Sequence, residues 1–363
     1  MCCTARWTCC GSAVRKTGVS TLRAGLSGCG VRGAQVLQLV RSHQDCTILA
    51  LHDVDAAAVA TLGNAAAIRS RHTDFQAFLQ TGIDFVVLAG PCGDRLAQVT
   101  AAAEQGVHCL LHAPMAPSAA MAQAMVKTCE RNGVKLGVAV MSQADPVFDD
   151  LRRALVDDFI GAIVLVHATS AFDQVLRVPP PTGHWQRDPL RSGRGALRQL
   201  GSEALHLIHW LCGRAMLSTT AQSTRGFTAM DEDSSVATFT MRGGGLCTFA
   251  SSHLTTGNML TLHGTDGAMI VTGDRISLRG RSELRESMFD YTSPSAEQSW
   301  SRAELLPECL TQLPRLELHG RFARWIDDLD DFPCPGDLAS ADLQVFEAID
   351  STLLDNHSKP IKQ

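Results

Sequence analysis

At 363 residues, 45% apolar and 19% charged, with a net charge of −5 and a pI near 6.2, the chain is long enough for two cores of ordinary size. It carries no basic stripe, which argues against nucleic acid or an anionic membrane surface as a partner, and no apolar run reaches the roughly 20 residues of a membrane span. The thirteen cysteines, among them Cys29, Cys46, Cys92, Cys109, Cys129 and Cys212, sit mostly inside apolar runs without a secreted-type framework, so a soluble, cytoplasmic protein with a small-molecule ligand is the expectation.

Residues 1–20, MCCTARWTCCGSAVRKTGVS, hold Arg6, Arg15 and Lys16, no acid and two Cys-Cys pairs. This stretch reads as a disordered leader; an organelle transit peptide and a metal or lipid site on the cysteines are the alternatives. From residue 21 the character changes. TLRAGLSGCGVRGAQVLQLV gives a strand, a glycine-rich turn and an amphipathic helix in succession. Gly28, Gly30 and Gly33 make G-x-G-x-x-G: the first permits the turn, the second lets the backbone approach a pyrophosphate, and the third lets the helix close on the strand. Cys29, Val31 and Arg32 fill the loop between them. The next strand, CTILALHDVD, carries Asp53, 20 residues beyond Gly33, a spacing that suits an acid bonding the ribose hydroxyls of NAD and repelling the extra phosphate of NADP.

The alternation continues through IDFVVLAGP, a helix from about Asp94 to Gln105, VHCLL with its helix, and VKLGVAV with another. A doubly wound parallel sheet over residues 21–142 follows, with Gly90-Pro91 and His112-Ala113-Pro114 at strand C-termini, where open parallel sheets bind ligands. Beyond residue 143 the pattern becomes α+β, with a mostly antiparallel sheet, through residue 363. GAIVLVHATS reads as a strand, PPPTGHWQRDPLRSGRG as a loop and ALRQLGSEALHLIHWLCG as a helix closed by Gly213. Two hairpins turn on Gly243–Gly245 and Thr265–Gly267, residues 280–315 look like poorly specified loop, and late helices start near Gly320 and Ala339.

On the helix, Leu197, Leu200, Ala204, Ile208 and Leu211 form the buried stripe, while Gln199, Glu203, His206 and Trp210 line another face. Glu203 and His206 stand one turn apart, and a carboxylate raises the basicity of an adjacent imidazole. Arg95 reads as a solvated helix arginine.

GLSGCGVRG, ALHDVD, DFVVLAGPCGDR, VHCLLHAPMA, FIGAIVLV, HWQRDPLRSGRGAL, GSEALHLIHWLCG and GTDGAMIV occur in order, and together they resemble the glucose-fructose oxidoreductase and inositol dehydrogenase family (Gfo/Idh/MocA). The resemblance implies an N-terminal NAD-binding Rossmann domain, a C-terminal sheet domain that makes homo-oligomers through its outer face, and hydride transfer on a sugar, polyol or related compound. It also implies an acid-base apparatus made of a Glu-Lys-Pro turn and a helix bearing Gly-x-His-x-x-Asp. Here the turn reads His112-Ala113-Pro114, and the helix places Glu203 and His206 in the His and Asp slots. Gly90-Pro91 stands for the family's Thr-Pro and Arg95 for its histidine. Trp185 matches a pocket tryptophan, with His184 beside it as a second candidate substrate contact.

Three readings of this set compete. In the first, His206, Glu203 and His112 form a rearranged acid-base set on a sugar-like substrate. In the second, the protein keeps the nucleotide fold for sensing or assembly without catalysis. In the third, Glu203, His206 and His112 hold a metal for non-redox chemistry; a plain hydrogen-bonded pair is commoner than that, and no metal is expected.

Overall fold

A computed structural model describes residues 21–41, 45–140, 142, 146–213, 216–273, 275–280, 298–301 and 313–355. The leader at 1–20 lies outside the described residues. The first half alternates strictly: β1 (Leu22–Ser27), α1 (Val31–Arg41), β2 (Cys46–His52), α2 (Ala56–Ala65), β3 (Ser70–His72), α3 (Phe75–Leu79), β4 (Phe85–Leu88), α4 (Arg95–Glu104), β5 (His108–His112), α5 (Ala119–Arg131) and β6 (Leu136–Ala139). The strands pair in parallel in the order β3-β2-β1-β4-β5-β6, so the strand order reverses beside β1 and opens a crevice at its C-terminal end. β4 and β6 are buried along their whole length, as a sheet covered on both faces requires. Helix starts are set by side chains: Asp55 caps α2, Asp74 caps α3 and Ser118 caps α5, each accepting a backbone N–H of the first turn.

The second half adds α6 (Pro146–Val156), β7 (Ile163–Ala171), α7 (Gln174–Arg177), a 3-10 turn at Trp185–Arg187, α8 (Pro189–Ser192) and α9 (Ala196–Cys212). Then come β8 (Met216–Thr224), β9 (Ser234–Met241), β10 (Leu246–Ser252), β11 (Gly257–Gly264), β12 (Ala268–Thr272), β13 (Arg275–Arg279) and β14 (Gln298–Ser301). Eight strands form one sheet in the order β14-β13-β12-β11-β7-β10-β9-β8, antiparallel except for β7 with β10. β9 and β10 alternate, burying Ala237, Phe239, Cys247 and Phe249 toward α9. A Cβ on Gly201 would stand 2.7 Å from the Phe249 ring, so this glycine sets how closely α9 lies on the sheet.

Both expected hairpins form, as β9–β10 and β11–β12. The stretch expected as loop holds β14, paired with β13, and the first residues of α10 (Leu313–Ile326). That helix and α11 (Gly336–Asp355) begin earlier than the pattern of apolar residues suggested. The first turn of α10 carries Pro314, and that of α11 carries Gly336 and Asp337, residue types that read as turn or loop rather than helix.

After the second sheet the chain returns to the first. Phe322 of α10 packs edge-on to Phe85 of β4 at 5.6 Å, and Phe332 meets both Phe322 and Trp325. Burying each such ring contributes about 2–3 kcal/mol. Lys135 lies over Trp325, and Arg324 pairs with Asp45 at 2.7 Å. α11 then runs against α5, its Glu347 accepting the Ala119 N–H at 2.8 Å.

Candidate functional site

The glycine turn has the geometry of a nucleotide cradle. Gly28 sits at φ +101, where L side chains are strained, and a Cβ there would strike the Gly90 nitrogen at 2.6 Å. A Cβ on Gly33 would lie 1.8 Å from the Gly28 carbonyl, so only glycine lets α1 close on the loop. A Cβ on Gly30 or Gly90 meets nothing within 4 Å, which leaves open space where a ligand backbone can approach. α1 has no acid in its first turn, so its positive end is not offset within the helix and suits a diphosphate. Val31 and Arg32 are exposed at that end.

Asp53 closes the cradle. Its Oδ2 accepts the Cys29 N–H at 2.7 Å and its Oδ1 the Asp55 N–H at 3.0 Å, and each oxygen keeps a second lone pair for a ribose hydroxyl. Beneath it, Ser27 Oγ and His52 Nδ1 are 2.9 Å apart and buried. Burial pushes the Cys29 thiol up to about 12, and its Sγ bonds the His52 carbonyl, so it forms a neutral wall to the loop.

The second part of the site is the turn after β5. The Ala113–Pro114 peptide is cis. Arg95, expected at the surface, is only 3% exposed. Its Nη1 donates to the carbonyls of His112 and Pro114, and its Nη2 to the Gly90 carbonyl at 2.9 Å, so one guanidinium joins the ends of β4 and β5. Burial lowers its pKa to about 10, still cationic at neutral pH. The solvated reading fails because Arg95 shares the stripe of Val99, Ala102 and Ala103 at i, i+4, i+7 and i+8, all turned to the core.

His112 is buried with neither ring nitrogen hydrogen-bonded. Its ring lies 5.9 Å from that of His319 on α10. Burial, then His319, Arg32 and Arg95, drive its pKa well below the histidine range, so it is a neutral imidazole.

α9 supplies the third part. Glu203 is half-buried, while His206 and His209 are buried on the side facing α11. The acid that holds His206 is Asp342 of α11: Oδ2 bonds Nδ1 of His206, and Oδ1 bonds Nδ1 of His209 at 2.5 Å. The apolar stripe of α9 is therefore wider than its leucines indicated. His206 and Ala113 line one cavity of about 20 Å³ together with Met115, Ser202, Asp342 and Leu343. Among the described residues no three His, Cys, Asp or Glu side chains are grouped as a metal site, so Glu203, His206 and His112 do not converge as ligands.

Trp185 and His184 are both half-buried, with ring centroids 5.5 Å apart, and His184 Nδ1 caps the 3-10 turn through the Gln186 N–H. The segment is seated on the nucleotide domain by Arg191, whose guanidinium grips Asp94 at 2.6 Å, and by the Cys92 Sγ, which bonds the Arg191 carbonyl.

The family profile for the oxidoreductase family, NAD-binding Rossmann fold, matches residues 22–140, and that for the GFO/IDH/MocA C-terminal domain matches residues 148–270. The chain belongs to the Gfo/Idh/MocA family. It is 28% identical over 280 residues to a D-apiose dehydrogenase of Paraburkholderia graminis, covering 74% of this chain and 72% of that protein. It is also 28% identical over 214 residues to inositol 2-dehydrogenase 1 of Saccharopolyspora erythraea, covering 56% and 58% respectively. Among solved structures, the WlbA dehydrogenase of Bordetella pertussis in complex with NADH and UDP-GlcNAcA superposes with a TM-score of 0.80 over 94% of this chain and 98% of that one, at 20% identity, which is a likeness of fold. The fold of the first domain is thus the family's NAD-binding Rossmann fold, and Gly28, Gly30, Gly33 and Asp53 fit that cofactor. Among the described residues no helix is long and apolar enough to cross a membrane.

Sequence reasoning missed Asp342 and His319, and placed Arg95 at the surface instead of in the core. A signal existed for two of them. Arg95 stands in the stripe of α4, and Asp342 at the core-facing spacing of Ala339, Phe346 and Ile349. A charge at a stripe position is a charge with a buried partner.

Proposed function

We propose that the protein is an NAD-dependent oxidoreductase that acts on a sugar, polyol or related small molecule with an acid-base set made of His206, Glu203 and His112 instead of a lysine. The observation that carries this reading is the meeting of Ala113, in the family's lysine slot, with His206 in one cavity at the end of β5. When bound, NAD accepts the hydride. The chain must then bind the diphosphate at the open face of Gly30, hold the ribose at Asp53 and present the nicotinamide end along Gly90-Pro91. Glu203, half-buried on α9, stands where the family has its histidine, and Trp185 and His184 form the substrate side. Taking the hydroxyl proton as hydride leaves contributes roughly 10²- to 10⁴-fold.

A second reading is favoured by the same cavity: most of its wall is apolar (Met115, Val138, Val140, Leu343, Phe346), as suits a nucleotide-holding protein without turnover. Calorimetry with NAD(H) and NADP(H), followed by a screen of sugars and polyols for hydride transfer at 340 nm, separates the two. Micromolar or tighter NAD binding with turnover supports the first, binding without turnover across the screen supports the second, and no binding of either nucleotide sinks both.

The same proposal includes a cytoplasmic homo-oligomer joined through the outer face of the second sheet, where Val236, Leu246 and Met259 are exposed at outward positions of β9, β10 and β11. Light scattering on the wild type and on Val236→Arg/Leu246→Arg tests it; a monomeric wild type refutes it.

A further inference from the structure

Under the NAD-dependent reading, one ribose belongs to Asp53 on the β2 side and the diphosphate to the N-terminus of α1, so the nicotinamide half falls to the β4–β5 side, toward Gly90 and the turn at His112–Pro114. The two sides differ in charge. Asp53, Asp55 and Asp74 stand on the β2–β3 side. The β4–β5 side holds Arg95, a buried cation whose hydrogen-bond partners are the carbonyls of Gly90, His112 and Pro114. Among the described residues no carboxylate pairs with it. Its charged neighbours are Arg32 and Asp94, and Asp94 is gripped by Arg191 at 2.6 Å. Burial pushes the Cys92 thiol up, so that neighbour stays neutral, and Asp342 is taken up by His206 and His209. A charge placed this way is little screened by salt. It is also close to the cradle, because a Cβ on Gly28 would strike the nitrogen of Gly90, the residue whose carbonyl Arg95 holds at 2.9 Å. Ala113 brings no cation to the turn; Arg95 brings one through the carbonyls on either side of it.

We propose that Arg95 sets the cofactor preference of the site: its buried charge opposes the positive ring of oxidised NAD, spares the neutral ring of NADH, and so holds the reduced form the more tightly. The inference rests on the NAD-dependent reading. Arg95 acts through space and through the carbonyls it holds, so a fixed cation here raises the free energy of one bound form only. Two unit charges about 12 Å apart, at an effective dielectric of about 20, change a dissociation constant by about tenfold. Tighter binding of the reduced form makes the bound couple a stronger oxidant than the free one. That favours removal of hydride from an alcohol in a chain with alanine in the lysine slot.

The experiment uses the full chain and needs no substrate. Dissociation constants for oxidised NAD and for NADH are measured by calorimetry at neutral pH on the wild type, Arg95→Lys and Arg95→Gln. The wild type should bind NADH about tenfold or more tightly than oxidised NAD. Arg95→Lys keeps the charge but loses the planar fork that reaches three carbonyls, so both forms should weaken together, with their ratio within about twofold of the wild type. Arg95→Gln removes the charge, and the ratio should fall about tenfold. A role confined to holding the two loops would weaken both forms alike and leave the ratio unmoved. Wild-type protein that binds the two forms equally overturns the proposal, a result that depends on no variant folding. So does a wild-type ratio in Arg95→Gln, or an equal fall in Arg95→Lys; in each of these cases NAD still binds and the dehydrogenase reading stands. Binding of neither form by the wild type takes down both.

Discussion

The two ends of the crevice are built on different rules. At the glycine turn three positions are fixed by backbone: Gly28 by its φ, Gly33 by a carbonyl 1.8 Å from any Cβ, Asp53 by two main-chain N–H groups. At the turn after β5 the backbone is held as firmly, by Arg95 on three carbonyls, yet the His112 ring beside it makes no hydrogen bond. Backbone geometry has few solutions, because sterics forbid the rest. A proton acceptor has many, because any group of suitable pKa within reach of the substrate serves.

The largest break in that contrast is Gly33→Val, which should abolish NAD binding in calorimetry and cost about 3 kcal/mol in denaturant unfolding, since backbone on both sides must shift. Gly30→Leu sharpens it. With open space around the position, stability should stay within about 0.5 kcal/mol while NAD binding weakens roughly 100-fold, or about 2.8 kcal/mol. Arg95→Leu tests the other end: three stranded carbonyls should cost about 3 kcal/mol by urea titration, and an unchanged midpoint would show that the turn holds itself. The smallest effect is pH-dependent. The folded pKa of His112 is depressed, so the stability tied to its neutral form is present above the ordinary histidine pKa of about 6.5 and is lost as pH falls toward the folded value. His112→Leu should flatten the acid side of a stability-against-pH curve by at most about 1.4 kcal/mol per pH unit.

Much of this was legible from residue order. The parallel sheet announced itself through apolar runs such as FVVL and VHCLL, and the cradle through glycines at spacings that only a strand-turn-helix uses. The two hairpins were readable from Gly243–Gly245 and Thr265–Gly267. What stayed hidden depends on pairing across long stretches of chain. Asp342 lies 136 residues from His206, and nothing in GDLASADLQ names its partner. Arg95 looked like a surface residue because its acceptors are carbonyls, which every residue has. β14 escaped because a four-residue strand with one large apolar side chain has no alternation to read.

The return of the chain's end onto the first sheet also orders its synthesis. When residues 21–142 have left the ribosome, the side of the nucleotide domain built around Phe85 and Gly137 still lacks Phe322 and Phe332, some 200 residues short of completion. Until α10 and α11 arrive, that side is an exposed apolar surface of the kind chaperones hold. Translation therefore makes the cradle first and finishes it last.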